Sequence, residues 1–144
     1  MTTFAVDTNC ILAVVCEWHE RHQAAMNAVT RRLERRERLV TPAPALVEAY
    51  AVLTRLPPPY RMAPLDAWTL LNASFVARAK VVGLSETTQI ALLAELAKQN
   101  VGGGRVYDRV IAKCAHEAGA TVILTFNVRH FDPPPNGLSV IEPV

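Results

Sequence analysis

The chain is 144 residues long, with 51% hydrophobic and 19% charged residues, enough to bury one core and too little for two. Its 15 Lys and Arg against 13 Asp and Glu leave a formal net charge of +2, which excludes a protein that coats nucleic acid by bulk charge. No apolar run approaches the roughly 20 residues of a membrane span, and no basic segment followed by a hydrophobic signal core opens the chain. One cytoplasmic domain over residues 1–144, with no membrane partner, is expected.

In chain order, Thr3 to Val6 is a short β-prone run ending at Asp7-Thr8-Asn9, a group of turn and capping residues, so a strand leads into a helix over Cys10 to Cys16. Residues 19 to 36 carry Met26, Val29 and Leu33 at i, i+3 and i+7 and read as a helix. Leu39 to Thr41 is a second strand, stopped by Pro42. Residues 43 to 54 form a helix that tolerates Pro44 in its first turn and is apolar on nearly every side, which predicts a buried helix with Glu48 as its only charge. After the prolines at 57 to 59, a helix over 65 to 77, a strand at Lys80 to Val82 and a helix from Ser85 to about Lys98 follow. Gly102 to Gly104 open a helix whose stripe runs through Val106, Val110, Ile111, Cys114, Ala115 and Ala118 and which Gly119 terminates. Thr121 to Thr125 is the strongest strand, and Leu138 to Ile141 a short final one. Short apolar strands alternating with helices imply βαβ crossovers, an α/β fold with a parallel sheet covered on both faces. In such sheets the functional crevice lies outside the carboxyl ends of the strands.

Two charge features stand out. Arg31 to Arg38 holds five arginines and two glutamates, either a surface that steers nucleic acid or a helix face laced by a Glu34–Arg38 pair. The three cysteines and four histidines show no zinc-type spacing, so the thiols read as reduced core residues.

Asp7 lies just past the first strand and Asn127 two residues past the strand ending at Thr125, so both reach one rim if the strands are neighbours. Asp108, near a helix start, falls at the edge of the apolar stripe and points into a crevice. Singly, Asp7 reads equally as a helix N-cap, Asp108 as a favourable first-turn charge and Glu48 as the partner of a buried Arg. Together, three carboxylates at one spot repel one another and suit a divalent cation, with all-oxygen ligation favouring Mg²⁺ or Mn²⁺ over zinc. Such a cation suits phosphodiester chemistry. Competing motifs are missing: no GK[ST] follows the triple glycine, no GxGxxG follows the first strand, and Ser85 has no nucleophile elbow.

The segments AVDTNCIL (Ala5 to Leu12), LVEAYAVLTR (Leu46 to Arg55), YDRVIAKCAHEAGA (Tyr107 to Ala120) and ILTFNVRHF (Ile123 to Phe131) resemble, in this order and at these separations, the PIN-domain ribonucleases, and among them the VapC toxins of toxin–antitoxin pairs. The resemblance implies a PIN-like three-layer α/β/α fold around a short central parallel sheet of four to five strands. It implies that Asp7, Glu48 and Asp108 are catalytic metal ligands, with Thr8 or Asn9 supporting the loop after the first strand and Thr125 hydrogen-bonding a ligand carboxylate or a metal-bound water. The family often has Asp where this chain has Asn127, which implies weaker occupancy of a second metal.

The implied activity is Mg²⁺-dependent endoribonuclease cleavage, with Mn²⁺ as a substitute, leaving a 5′-phosphate and a 3′-hydroxyl and arresting translation and growth. Arg109 or Arg129 would contact substrate phosphate, unless either is a solvated or salt-bridged arginine. The implied partners are an RNA substrate, a small VapB-like antitoxin whose C-terminal segment fills the acidic crevice, and a second copy in a homodimer, for which the helices at 65–77 and 84–98 offer apolar surface. Two other readings stay open: a PIN-like domain that binds RNA or a partner with little or no catalysis, kept open by Asn127, and an RNA-processing nuclease without an antitoxin.

Overall fold

The computed structural model describes all 144 residues, Met1 to Val144. Five parallel strands, β1 (Thr3–Val6), β2 (Arg38–Pro42), β3 (Lys80–Val82), β4 (Val122–Leu124) and β5 (Ser139–Ile141), form one sheet in the order β3-β2-β1-β4-β5. Six helices accompany them: α1 (Thr8–Val15), α2 (His22–Glu34), α3 (Ala43–Arg55), α4 (Pro64–Phe75), α5 (Glu86–Lys98) and α6 (Arg105–Glu117). This is the expected α/β fold, with every strand found where the apolar runs place it. Pro42 closes β2 from inside the strand rather than beyond it, and α3 follows at once.

The chain steps from β1 to β2 to β3 in one direction and then returns past β1 to β4. Right-handed crossovers therefore place α1 to α4 on one face and α5 and α6 on the other, and make the β1/β4 boundary the point where the winding reverses. Val6 pairs with Leu124 there. Their next residues, Asp7 and Thr125, consequently emerge side by side at the carboxyl edge.

Burial on both faces explains the unbroken apolar runs: Phe4, Ala5, Val6, Ile123 and Leu124 are at most 1% exposed. Each large side chain among them contributes about 1.5–3 kcal/mol through area removed from water. Ile111, Ala112, Cys114 and Ala115 of α6, Ala45, Ala49 and Leu53 of α3, and Ala67, Leu71 and Phe75 of α4 are also buried. The three cysteines are free and buried, and burial pushes the Cys114 thiol up to about 11. No helix is long and apolar enough to cross a membrane.

Three helices end on a left-handed residue: Gly119 (φ +79°) after α6, Asn100 (φ 57°) after α5 and Arg36 (φ 64°) after α2. The backbone closes in the same way at each, as where Glu37 N–H donates to the Arg32 carbonyl at 3.0 Å. Glycine and asparagine suit that conformation, whereas Arg36 holds it at a steric cost. The turn also ends α2 at Glu34, so Arg38 lies on β2 and the expected Glu34–Arg38 helical pair does not form; the pair present is Arg32–Glu37 at 2.9 Å.

Candidate metal centre

Asp7 is the hinge of the site. It caps α1, its Oδ1 accepting from Thr8 N–H at 2.8 Å, while its Oδ2 accepts from the Thr125 hydroxyl at 2.8 Å and from Asn9 Nδ2 at 3.2 Å. The capping role and a ligand role are therefore compatible. Asn9 also donates to Thr125 Oγ1 at 3.2 Å and accepts from Phe126 N–H at 3.1 Å, binding the loop after β1 to the loop after β4. Thr125 Oγ1 receives a further bond from Asn127 N–H at 3.0 Å. One hydroxyl thus fixes three neighbours.

Asp7, Thr8, Asn9, Glu48, Asp108 and Asn127 line one cleft of about 120 Å³, with Leu12 and Ile111 as apolar walls and Tyr107 at its edge. The sequence-predicted acids and the amide are thus brought together. Asp108 sits in the first turn of α6, its side chain 19% exposed, at the border of the apolar stripe as its position on the helix requires. Asn127 is exposed at the mouth, just before a single 3₁₀ turn at Val128–Phe131.

Glu48 corrects an expectation. It is exposed, not buried, because α3 packs only its Ala45–Ala49–Leu53 stripe inward and leaves Val47 69% and Tyr50 38% exposed. The apolar residues all round α3 reflect an uncovered surface, and Glu48 reaches the cleft from that surface without a desolvation cost.

Burial pushes the Asp7 carboxyl up to about 6, against the lowering effect of the bonds from Thr125 and Thr8, with the negative charges of Asp108 and Glu48 adding to the rise. Asp108 is also raised, first by burial and then by Glu48, while His130 lowers it. His130 Nδ1 lies 3.6 Å from Asp108 Oδ2, brought back by the 3₁₀ turn. Nothing in sequence spacing points to His130 or to Tyr107.

The donor set fits a hard divalent cation. Three carboxylates share one cleft with no Lys or Arg among its lining residues, and Thr8 Oγ1, buried beside Asp7, has no hydrogen-bond partner. The side chains do not close around a point: no three acidic, imidazole or thiol groups converge tightly enough to encircle an ion.

The two arginines considered for substrate part company. Arg109 Nη1 donates to the Pro133 carbonyl at 3.2 Å and lines a separate hollow beside Lys113 and Pro134 rather than the acidic cleft, although its charge, with that of Arg105, still lowers Asp108. Arg129 is exposed on the 3₁₀ turn and makes no ion pair.

Residues 4–133 match the family model described as PIN domain. Ribonuclease VapC40 of Mycobacterium tuberculosis is 36% identical over 119 residues, 83% of each chain, and Ribonuclease VapC27 of the same organism is 38% identical over 113 residues, 78% of this chain and 77% of that one. Among solved structures, that of VapBC2 from Rickettsia felis, bound to a promoter DNA fragment, contains a chain that superposes with a TM-score of 0.70 at 16% identity, covering 99% of this chain and 100% of that one.

Proposed function

The chain belongs to the PIN domain family, in its VapC branch, and from that premise we propose that it is a divalent-cation-dependent endoribonuclease acting as the toxin of a toxin–antitoxin pair in the cytoplasm. The observation that carries this reading is the convergence of Asp7, Glu48 and Asp108 on one cleft at the β1/β4 switch point. Those three carboxylates would hold Mg²⁺, or Mn²⁺ in its place. When bound, the cation supplies Lewis acidity toward a phosphoryl oxygen and a water of lowered pKa for in-line attack.

The protein's own contribution is positional. Thr125, Asn9 and Thr8 N–H fix both oxygens of Asp7, so its free lone pairs have one direction in which to act. Asn127 offers an uncharged oxygen at the mouth, which supports tighter occupancy of one metal position than of a second. Arg129 is free to meet a substrate phosphate, whereas Arg109 is engaged with the Pro133 carbonyl.

A VapB-like antitoxin is part of the same reading. A groove lined by Val47, Ala51, Leu84 and Tyr107 opens onto the acidic cleft through Glu48, which suits an apolar segment carrying a cationic side chain into the acids. Exposed Leu65, Trp68 and Leu70 on α4 and Ile90 and Leu93 on α5 favour a homodimer. Incubating the purified chain with RNA and Mg²⁺ or Mn²⁺, with and without EDTA, tests the activity. Fragments with 5′-phosphate ends that vanish with the chelator are expected, and intact RNA at every metal concentration would refute it.

A further inference from the structure

We propose that a band of cations running from α2 to the amino ends of β2 and β3 is a second RNA-contact surface, gripping the phosphate backbone of a folded substrate outside the acidic cleft. The inference rests on the ribonuclease reading for its substrate class. Its physical basis is independent of the cleft.

Of the five arginines from Arg31 to Arg38, only Arg32 has a carboxylate partner, Glu37. Arg31, Arg32 and Arg35 line a hollow of about 160 Å³ between α2 and the ends of β4 and β5, together with Glu142, whose carboxylate is paired with Arg21 at 3.8 Å. On the other side of the Arg32–Glu37 pair, a second depression of about 450 Å³ is lined by Glu37, Arg38, Arg78 and Lys80. Arg78 and Lys80 are some forty residues further along the chain, so the fold, not the local sequence, extends the band. Neither depression shares a lining residue with the acidic cleft.

Arg36, which in sequence separates Arg35 of the first hollow from Glu37 of the second, keeps a charged side chain at φ 64° where the backbone favours glycine. The band therefore gains a cation at a position where backbone conformation argues against one.

The charge distribution gives the band a purpose. The cleft is lined by carboxylates and repels a polyanion until a cation fills it, and Arg109, the arginine next to Asp108 in sequence, is bound to a carbonyl. Arg129 is left free beside the cleft mouth, and a folded RNA needs further attraction from elsewhere on the surface. Guanidinium forks match phosphate oxygens in pairs, and the exposed Arg31, Arg35, Arg36 and Arg38 have no carboxylate partner, while Arg78 spends only its Nε on the Ser74 carbonyl at 3.0 Å. Seven of the fifteen large exposed apolar residues lie on α3, α4 and α5, whereas only Val81, Ile141 and Val144 border the band, so the band is the more polar surface.

The test is binding of a fluorescent stem-loop RNA in EDTA, followed by anisotropy across a salt titration. Arg31→Ala/Arg35→Ala and Arg78→Ala/Lys80→Ala should each weaken binding about tenfold and make the slope of log affinity against log salt less negative by roughly 1 to 2. Lys98→Ala, an exposed cation outside the band, should match wild type. Circular dichroism melts of these surface variants separate lost contact from lost fold. Wild-type affinity and slope in both double variants would overturn the proposal, including when they have lost affinity for an acidic peptide. Because no cleavage is needed, band-dependent binding by a chain that never cuts RNA would support the band while refuting the nuclease. Metal-dependent cleavage with band-independent binding would do the reverse.

Discussion

The Thr125 hydroxyl donates to Oδ2 of Asp7 at 2.8 Å across 118 residues of sequence, joining the ends of β4 and β1 at the bottom of the acidic cleft. The same oxygen accepts from Asn9 and from the Asn127 amide. Thr125→Val keeps the shape and removes all three bonds. It should cost about 1–3 kcal/mol of stability, because donors in a largely dry site lose their acceptor, and should lower RNA cleavage. Thr125→Ser should retain most of both. Denaturant melts and cleavage rates on the two variants check this, and a fully active Val variant would remove Thr125 from the site's machinery.

Asp7 also sets a pH dependence. Its pKa rises on folding from 3.8 to about 6, so its contribution to stability is fully present below about pH 3.8 and is lost as pH rises through about 6. The loss amounts to about 3 kcal/mol for a shift of this size. Divalent-free protein should therefore become less stable as pH rises from about 3.8 to about 6 and level off above that, with a flatter profile in Asp7→Asn and recovery on adding Mn²⁺. Urea melts across that range measure it. Parallel profiles for wild type and variant would assign the dependence to another group.

Glu48 separates function from folding. Because it is exposed, Glu48→Gln should change stability by no more than about 0.5 kcal/mol. Losing one carboxylate from the proposed ligand set should still lower cleavage by roughly tenfold or more. Thermal melts and initial rates on one preparation decide. A destabilised but active variant would contradict the exposed, functional placement.

Asn127 offers the converse experiment. Asn127→Asp adds a fourth carboxylate at the cleft mouth and should tighten Mn²⁺ binding several-fold in calorimetric titration. Unchanged affinity would mean that this side chain does not face the ion.

The strands and the rim position of Asp7, Asp108 and Asn127 were legible in the sequence, because hydrophobic period and capping chemistry are local, whereas the helix expected from residue 19 begins only at His22, where no side chain caps it. The burial of α3 was not. Apolar residues all round a helix signal burial only if something covers every side, and here Val47 and Tyr50 face outward. The Glu34–Arg38 pair failed because a left-handed Arg36, a residue that gives no warning of that conformation, ends the helix first. His130 and the Arg109–Pro133 contact depend on the path of an irregular loop, which periodicity does not encode.

The central claim, that Asp7 and Asp108 hold the cation that cuts RNA, is tested most directly by following RNA cleavage with Mg²⁺ for wild type, Asp7→Asn and Asp108→Asn, each shown to be folded by circular dichroism. The account predicts 5′-phosphate fragments from wild type, none with EDTA, and a loss of at least about a hundredfold in either variant. Cleavage at the wild-type rate by either folded variant would contradict it.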